Sequence, residues 1–145
     1  MHLNVLTDYA LRLLIALAVR PGERQGLGDI ADRYAISRDH LRKISQRLSA
    51  AGMVKSWRGR GGGVGLAKAT TEITVAEVVR IMEPDMAVVE CLGNSSACRI
   101  EPVCRLKGVF ARARSAFFQE LEAVTLADCV SNTAELRGQL GLPSD

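Results

Sequence analysis

The stretch that decides the fold is Leu27-Gly28-Asp29-Ile30-Ala31-Asp32-Arg33-Tyr34-Ala35-Ile36-Ser37-Arg38-Asp39-His40-Leu41-Arg42-Lys43-Ile44-Ser45-Gln46-Arg47-Leu48. Leu27, Ile30, Ala31 and Tyr34 recur at helical spacing, Ala35-Ile36 make a tight link, and Ser37 offers a hydroxyl at an N-cap position. A further helix runs from Arg38 to about Ala51 and stops at Gly52. Leu41, Ile44 and Leu48 form its buried stripe, which turns Arg38, Asp39, Arg42, Lys43, Gln46 and Arg47 toward solvent. Two short helices in this relation, the second polar and basic outside, suit insertion of a helix into a DNA major groove.

The residues on either side extend the pattern. Upstream, Leu6 to Val19 reads as a helix with Thr7 or Asp8 near its N-terminus, a face of Tyr9, Leu13, Leu14 and Leu17, and Pro21-Gly22 as its stop. Downstream, Met53 to Trp57 reads as a strand, Arg58-Gly59-Arg60-Gly61-Gly62-Gly63 as a basic tip, and Val64-Gly65-Leu66 as the return strand. That is a β-wing following a helix-turn-helix. Its glycines allow close backbone approach to phosphates, and Arg58 and Arg60 can follow the DNA backbone or enter a minor groove. A nucleotide phosphate loop is the competing reading, and the GxxxxGK[ST] pattern it needs is missing. Ser37, Arg38, His40, Arg42 and Lys43 on the helix, with Arg58, Arg60, Gly61 and Gly62 on the wing, are the expected DNA contacts.

Charge separates this half from the rest. Residues 1–70 carry 12 Lys and Arg against 5 Asp and Glu, net +7, whereas residues 71–145 carry 7 against 11, net −4. The richest apolar run near the start, Ala10 to Val19, is ten residues long and contains Arg12, too short and too charged to span a bilayer. A cytoplasmic protein is expected, with no membrane partner.

All four cysteines lie in the acidic half. A short helix from Val75 to about Met82 ends at Glu83-Pro84, and a loop follows with Cys91, Cys98 and Cys104 in a C-x6-C-x5-C spacing. In a reducing compartment such clustering favours metal or redox chemistry over disulfides. An iron-sulfur cluster, zinc, a thiol redox switch and structural cysteines all remain open on spacing alone. Zinc prefers four ligands, this loop contains no His, and clusters accept thiolates from irregular spacings. Cys129 sits in an apolar pattern with Leu126 and Val130 and reads as a buried small hydrophobe.

The longest helical pattern comes next. Leu106, Val109, Phe110, Ala113, Phe117, Leu121 and Val124 make one apolar stripe that needs a partner, and the same helix of a second subunit would pair two recognition helices across a palindromic site. A last helix is expected from Leu126, capped by Thr125, to about Leu136. The organisation reads as a mainly α chain with a small β-wing: residues 1–70 a winged helix-turn-helix, 71–104 a linker helix and cysteine loop, 105–145 a dimerisation helix and C-terminal helix. Apart from the thiols, nothing supports an enzyme.

The run Thr7-Asp8-Tyr9-Ala10-Leu11-Arg12, the helix-turn-helix from Ile30 to Ser37 and the wing from Arg58 to Val64 resemble the Rrf-type winged-helix regulators. Glu90-Cys91, the run Cys98 to Lys107, and Phe117-Phe118 with Leu121 and Thr125-Leu126-Ala127-Asp128 are most similar to the nitric-oxide-sensing members. The resemblance covers about residues 1–130. It implies a homodimeric repressor that binds an inverted repeat of double-stranded DNA with its cluster present and is released by nitric oxide. It also implies a 4Fe-4S cluster held by Cys91, Cys98 and Cys104, with Asp8 of the other subunit as oxygen ligand. Relatives with a 2Fe-2S site use a His shortly after the third cysteine, where this chain has Arg105-Leu106-Lys107-Gly108. A regulator sensing iron or cluster supply, or a cluster-free thiol regulator, is the alternative within the family.

Overall fold

A computed structural model of the chain describes residues 2–143. Helix α1 (Val5–Ala18) forms the centre. Its Ala10, Leu13, Leu14 and Leu17 are almost wholly inaccessible, while Tyr9 lies half-buried at the edge. The helix starts earlier than the sequence pattern suggests, because Asn4 caps it by accepting the Leu6 N–H at 2.9 Å. Asp8 therefore lies in the first turn rather than at the cap.

Helices α2 (Leu27–Tyr34) and α3 (Arg38–Ala50) pack their buried Ile30, Ala31, Leu41, Ile44 and Leu48 onto α1 and each other. Truncating one of these fully buried leucines costs on the order of 2–5 kcal/mol. The link between them is a left-handed residue, Ala35 at φ 53°, with the Ile36 N–H bonded to Ala31 O at 2.9 Å. Ser37 occupies the N-cap position of α3 as its sequence suggests, yet its side chain makes no capping hydrogen bond. Gly52, at φ 72°, closes α3, since the following Met53 N–H must reach back to Leu48 O at 2.9 Å.

Strands β1 (Val54–Trp57) and β2 (Gly63–Leu66) form an antiparallel hairpin that pairs Val54 with Leu66 and Trp57 with Gly63. Gln25 adds a single-residue third strand by pairing with Val64. The Gln25 side chain is buried and donates to Ala16 O at 2.7 Å, which fastens the wing to α1.

Helix α4 (Val75–Met82) packs against α1, and α5 (Arg105–Glu122) packs against α4. Two capping boxes lie side by side, Thr74 with Glu77 and Thr125 with Asp128, in segments joined by Val75 N–H to Val124 O (3.0 Å) and Leu126 N–H to Ile73 O (2.8 Å). The single C-terminal helix expected from the sequence is two: α6 (Leu126–Cys129) and α7 (Thr133–Gln139). Between them the backbone turns at residues 130–132, and the hydroxyl of Thr133, the first residue of α7, donates to Val130 O at 2.6 Å. The tail returns to the front half, where Arg33 donates to Leu140 O at 2.7 Å.

Candidate nucleic-acid interface and thiol site

The outer face of α3 is built as its sequence pattern requires: Arg38, Asp39, His40, Arg42 and Lys43 are exposed over a buried Leu41-Ile44-Leu48 stripe. Their charges are not all free. Arg38 bridges to Asp32 of α2 at 3.0 Å and lies against Gly28, and Arg42 pairs with Asp39 at 3.3 Å. His40 turns toward α1, its ring centroid 6.0 Å from that of Tyr9. Among the described residues Lys43, Arg58 and Arg60 pair with no carboxylate.

The wing tip has its own reasons for glycine. Gly61 stands at φ 71°, and a Cβ on Gly62 would come within 2.5 Å of Trp57 O, where the Gly62 N–H closes the turn onto Gly59 O at 3.0 Å. These glycines shape the hairpin that carries Arg58 and Arg60 outward.

The cysteine loop is stitched to the start of α5. Cys91 lies in a 3-10 turn, Glu90–Leu92, and Cys104 sits at the N-cap position of α5 after a second such turn, Glu101–Val103. The Glu90 carboxylate accepts the Ala97 N–H at 2.7 Å, and Arg114 donates to Leu92 O at 3.3 Å. Cys98 and Cys104 line an open cavity of about 750 Å³ together with Ser96, Glu101 and Lys107. Lys107 donates to Glu101, which holds the ammonium above its usual pKa range and the carboxyl below its own.

All four cysteines are free thiols. Cys98 is exposed, Cys91 and Cys104 are half-buried, and Cys129 is partly covered rather than fully buried, with burial pushing its thiol pKa up. Among the described residues no three Cys, His, Asp or Glu side chains converge on one point closely enough for a single metal ion. The donor set suits a larger, softer group. Three thiols on one loop, two of them on a roomy cavity, match the thiolate preference of an iron-sulfur cluster better than a closed zinc tetrahedron.

Asp8 does not line that cavity within one chain. Its carboxylate pairs with Arg12 at 2.7 Å, and the Arg12 guanidinium lies 5.8 Å from the Tyr9 ring centroid. Reasoning from sequence missed the residue that holds this helix end. Glu83, read only as a helix stop, accepts from the Asn4 N–H at 2.6 Å and from the buried Thr7 hydroxyl. No local pattern announces a contact between residues so far apart in the chain.

The apolar stripe of α5 stays open in the single chain. No residue of α5 is buried, Leu106 is 61% exposed and Val109 47%, and Phe110, Ala113 and Phe117 line an apolar groove with Met86 and Val88. No helix among the described residues is long and apolar enough to cross a membrane.

A helix-turn-helix with a basic wing, joined through a linker helix to a thiol loop and an uncovered helix, defines a winged-helix transcriptional regulator. The Rrf2 family model, described as an iron-dependent transcriptional regulator, matches residues 3–132, and the chain belongs to that family. It is similar to the HTH-type transcriptional regulator NsrR of Bacillus subtilis strain 168, with 44% identity over 138 residues and 94% of each chain covered. The NsrR of Shouchella clausii strain KSM-K16 is 41% identical over 142 residues, covering 97% of this chain and 95% of the relative. Among solved structures, T. potens IscR superposes with a TM-score of 0.75 at 25% identity, covering 94% of this chain and 91% of that one. CymR, the global cysteine regulator of B. subtilis, gives 0.73 at 28% identity, covering 91% and 98%.

Proposed function

We propose that the chain is a homodimeric, DNA-binding repressor that senses nitric oxide through a 4Fe-4S cluster. The observation that carries this reading is the placement of three free thiols, Cys91, Cys98 and Cys104, on one loop between the reading head and the uncovered α5. These thiolates would hold the cluster, and Asp8 of the other subunit would supply the oxygen ligand. When bound, the cluster supplies iron that nitric oxide attacks.

The chain's own residues convert occupancy of the loop into DNA affinity. Cys104 sits at the N-cap position of α5, so a loop drawn around a bound group also sets the start of the helix that meets the second subunit. Asp8 belongs to α1, against which α3 packs. A carboxylate engaged across the dimer therefore ties each reading head to the dimer axis, and the same carboxylate returned to Arg12 releases it. With the heads released, the two α3 helices lose the spacing that fits successive major grooves of an inverted repeat. While the heads are held, Ser37, Arg38, His40, Arg42 and Lys43 contact bases or phosphates from α3, and Arg58, Arg60, Gly61 and Gly62 contact the backbone or minor groove from the wing.

The test is an anaerobic titration. Protein with thiolate-to-iron absorption binds a duplex selected from a random pool, with steep salt dependence, and nitric oxide abolishes that binding. Equal affinity of the loaded, apo and nitric-oxide-treated forms for the duplex refutes the reading. A second reading, sensing of iron or cluster supply, draws on the family description as iron-dependent. It requires that an iron chelator, and not nitric oxide at comparable iron occupancy, governs release.

A further inference from the structure

Gln25 makes the wing a three-stranded sheet, its N–H donating to Val64 O at 2.9 Å and its carbonyl accepting the Val64 N–H at 2.8 Å. Side chains along a strand alternate between faces. Val54 and Val64 are buried on the inner face, and the Ser56 hydroxyl lies 3.4 Å from that of Ser45 in α3. Lys55, Trp57 and Arg24 therefore share the outer face. There the Trp57 indole covers Gly65, where a Cβ would come within 3.2 Å of the ring, and the Arg24 guanidinium lies 4.5 Å from the ring centroid.

We infer that this outer face is a second phosphate-binding surface, on which Arg24, held against Trp57, follows the DNA backbone beside the wing tip. The inference rests on the DNA-binding reading above and extends it to a residue outside the helix-turn-helix and the hairpin. Charge is the first argument. Arg24 and Lys55 are exposed and meet no carboxylate among the described residues, while the neighbouring Glu23 is taken up by Arg20 at 2.7 Å. Continuity is the second, since Trp57 leads directly into Arg58 and the basic tip. Preorganisation is the third. An arginine stacked on an aromatic ring keeps its N–H edge free for phosphate, and much of its rotamer entropy is already lost before binding. Arg38 and Arg42, by contrast, must first leave Asp32 and Asp39.

The chain contains one tryptophan, so its emission reports on this face alone. The experiment uses anaerobically prepared protein and a duplex that the wild type selects from a random pool, with affinity followed across a KCl series. The homodimer presents Arg24 twice, so Arg24→Gln is expected to lower the magnitude of the slope of log K against log salt by about 1.8, which makes the variant about 60-fold weaker than the wild type at ~0.1 M when the two are matched at ~1 M. Arg24→Lys keeps the slope. Arg24→Met, which retains packing on the indole without the charge, loses it as Gln does and covers the case of a Gln variant with a disturbed wing. Saturating duplex changes the Trp57 emission of the wild type. A wild-type slope in both Arg24→Gln and Arg24→Met overturns the inference, even if affinity falls, and leaves the face to an acidic protein. Failure of the wild type to bind any duplex overturns the DNA-binding reading and this inference with it.

Discussion

Removing the Glu83 carboxylate should cost more than its surface position suggests. One oxygen of Glu83 accepts from the Asn4 N–H and from the Thr7 hydroxyl, and Thr7 is fully buried in the first turn of α1. In Glu83→Ala the Thr7 hydroxyl loses the acceptor it has in the folded chain, a penalty of about 1–3 kcal/mol. The Asn4 N–H is open to solvent and loses little, while removal of a negative charge from a helix N-terminus adds about 0.3–1 kcal/mol. The expected total is about 1–4 kcal/mol, read as a lower urea midpoint with unchanged slope at one fixed protomer concentration. The double mutant supplies the sharper check. With Thr7→Val no hydroxyl remains to be orphaned, so adding Glu83→Ala to that background should cost about 1 kcal/mol or less. A Glu83→Ala loss below about 0.5 kcal/mol, or two single losses that simply add, would show that the latch is not an energetic link between α1 and the linker.

Three other perturbations test separate parts of the chain. Ala35 is exposed and left-handed, so Ala35→Gly relieves backbone strain without loss of packing and should raise stability by up to about 1 kcal/mol, visible as a higher thermal midpoint. Leu106→Asp or Val109→Glu places charge on the uncovered α5 stripe and should shift sedimentation from dimer to monomer while leaving the helical circular dichroism in place. Asp128 has its pKa lowered by hydrogen bonds from the Thr125 side chain and backbone. Its contribution is therefore present above the usual carboxylate pKa of about 3.9 and lost as pH falls through the lower folded value. Asp128→Asn should flatten that part of the acid limb of the thermal midpoint, and an acid limb identical to the wild type would remove Asp128 from it.

What could be read from sequence was what repeats locally. The i, i+3, i+4 spacing of Leu41, Ile44 and Leu48 specifies which face of α3 is buried, and the glycine tip between two short apolar runs specifies a hairpin. The Asp8–Arg12 pair was also within reach, because i, i+4 spacing brings opposite charges together on any helix. Other features leave no periodic trace. Gln25 is a strand of one residue, visible only once Val64 is beside it, and Glu83 finds Asn4 across 79 positions of the chain. The C-terminal break was underestimated because helical spacing from Leu126 to Leu136 survives on paper, while in three dimensions the Thr133 hydroxyl takes the Val130 carbonyl and a new helix starts at Thr133. For the thiols, spacing identifies donors without specifying where they point. Cys98 and Cys104 face one cavity, and Cys91 lies within electrostatic reach of Lys107.

The charged groups assigned to function share an energetic character that the structural ones lack. Asp8 with Arg12, Arg38 with Asp32 and Arg42 with Asp39 are ion pairs between side chains that are 44–77% exposed. Pairs of this kind are worth about 0–1 kcal/mol each and are screened by salt. Exchanging such a partner for a phosphate or a ligand across the dimer therefore costs the fold almost nothing. The Glu83 latch differs because it satisfies a buried hydroxyl, so it persists while the exposed pairs change partners. A regulator needs both kinds of contact. In the function proposed above, the first would let Asp8 and the α3 arginines be held in the free protein and released on binding. The second keeps α1 attached to the linker, so that in the proposed mechanism a change at the cysteine loop would move the reading head instead of dissipating in a loose N-terminus.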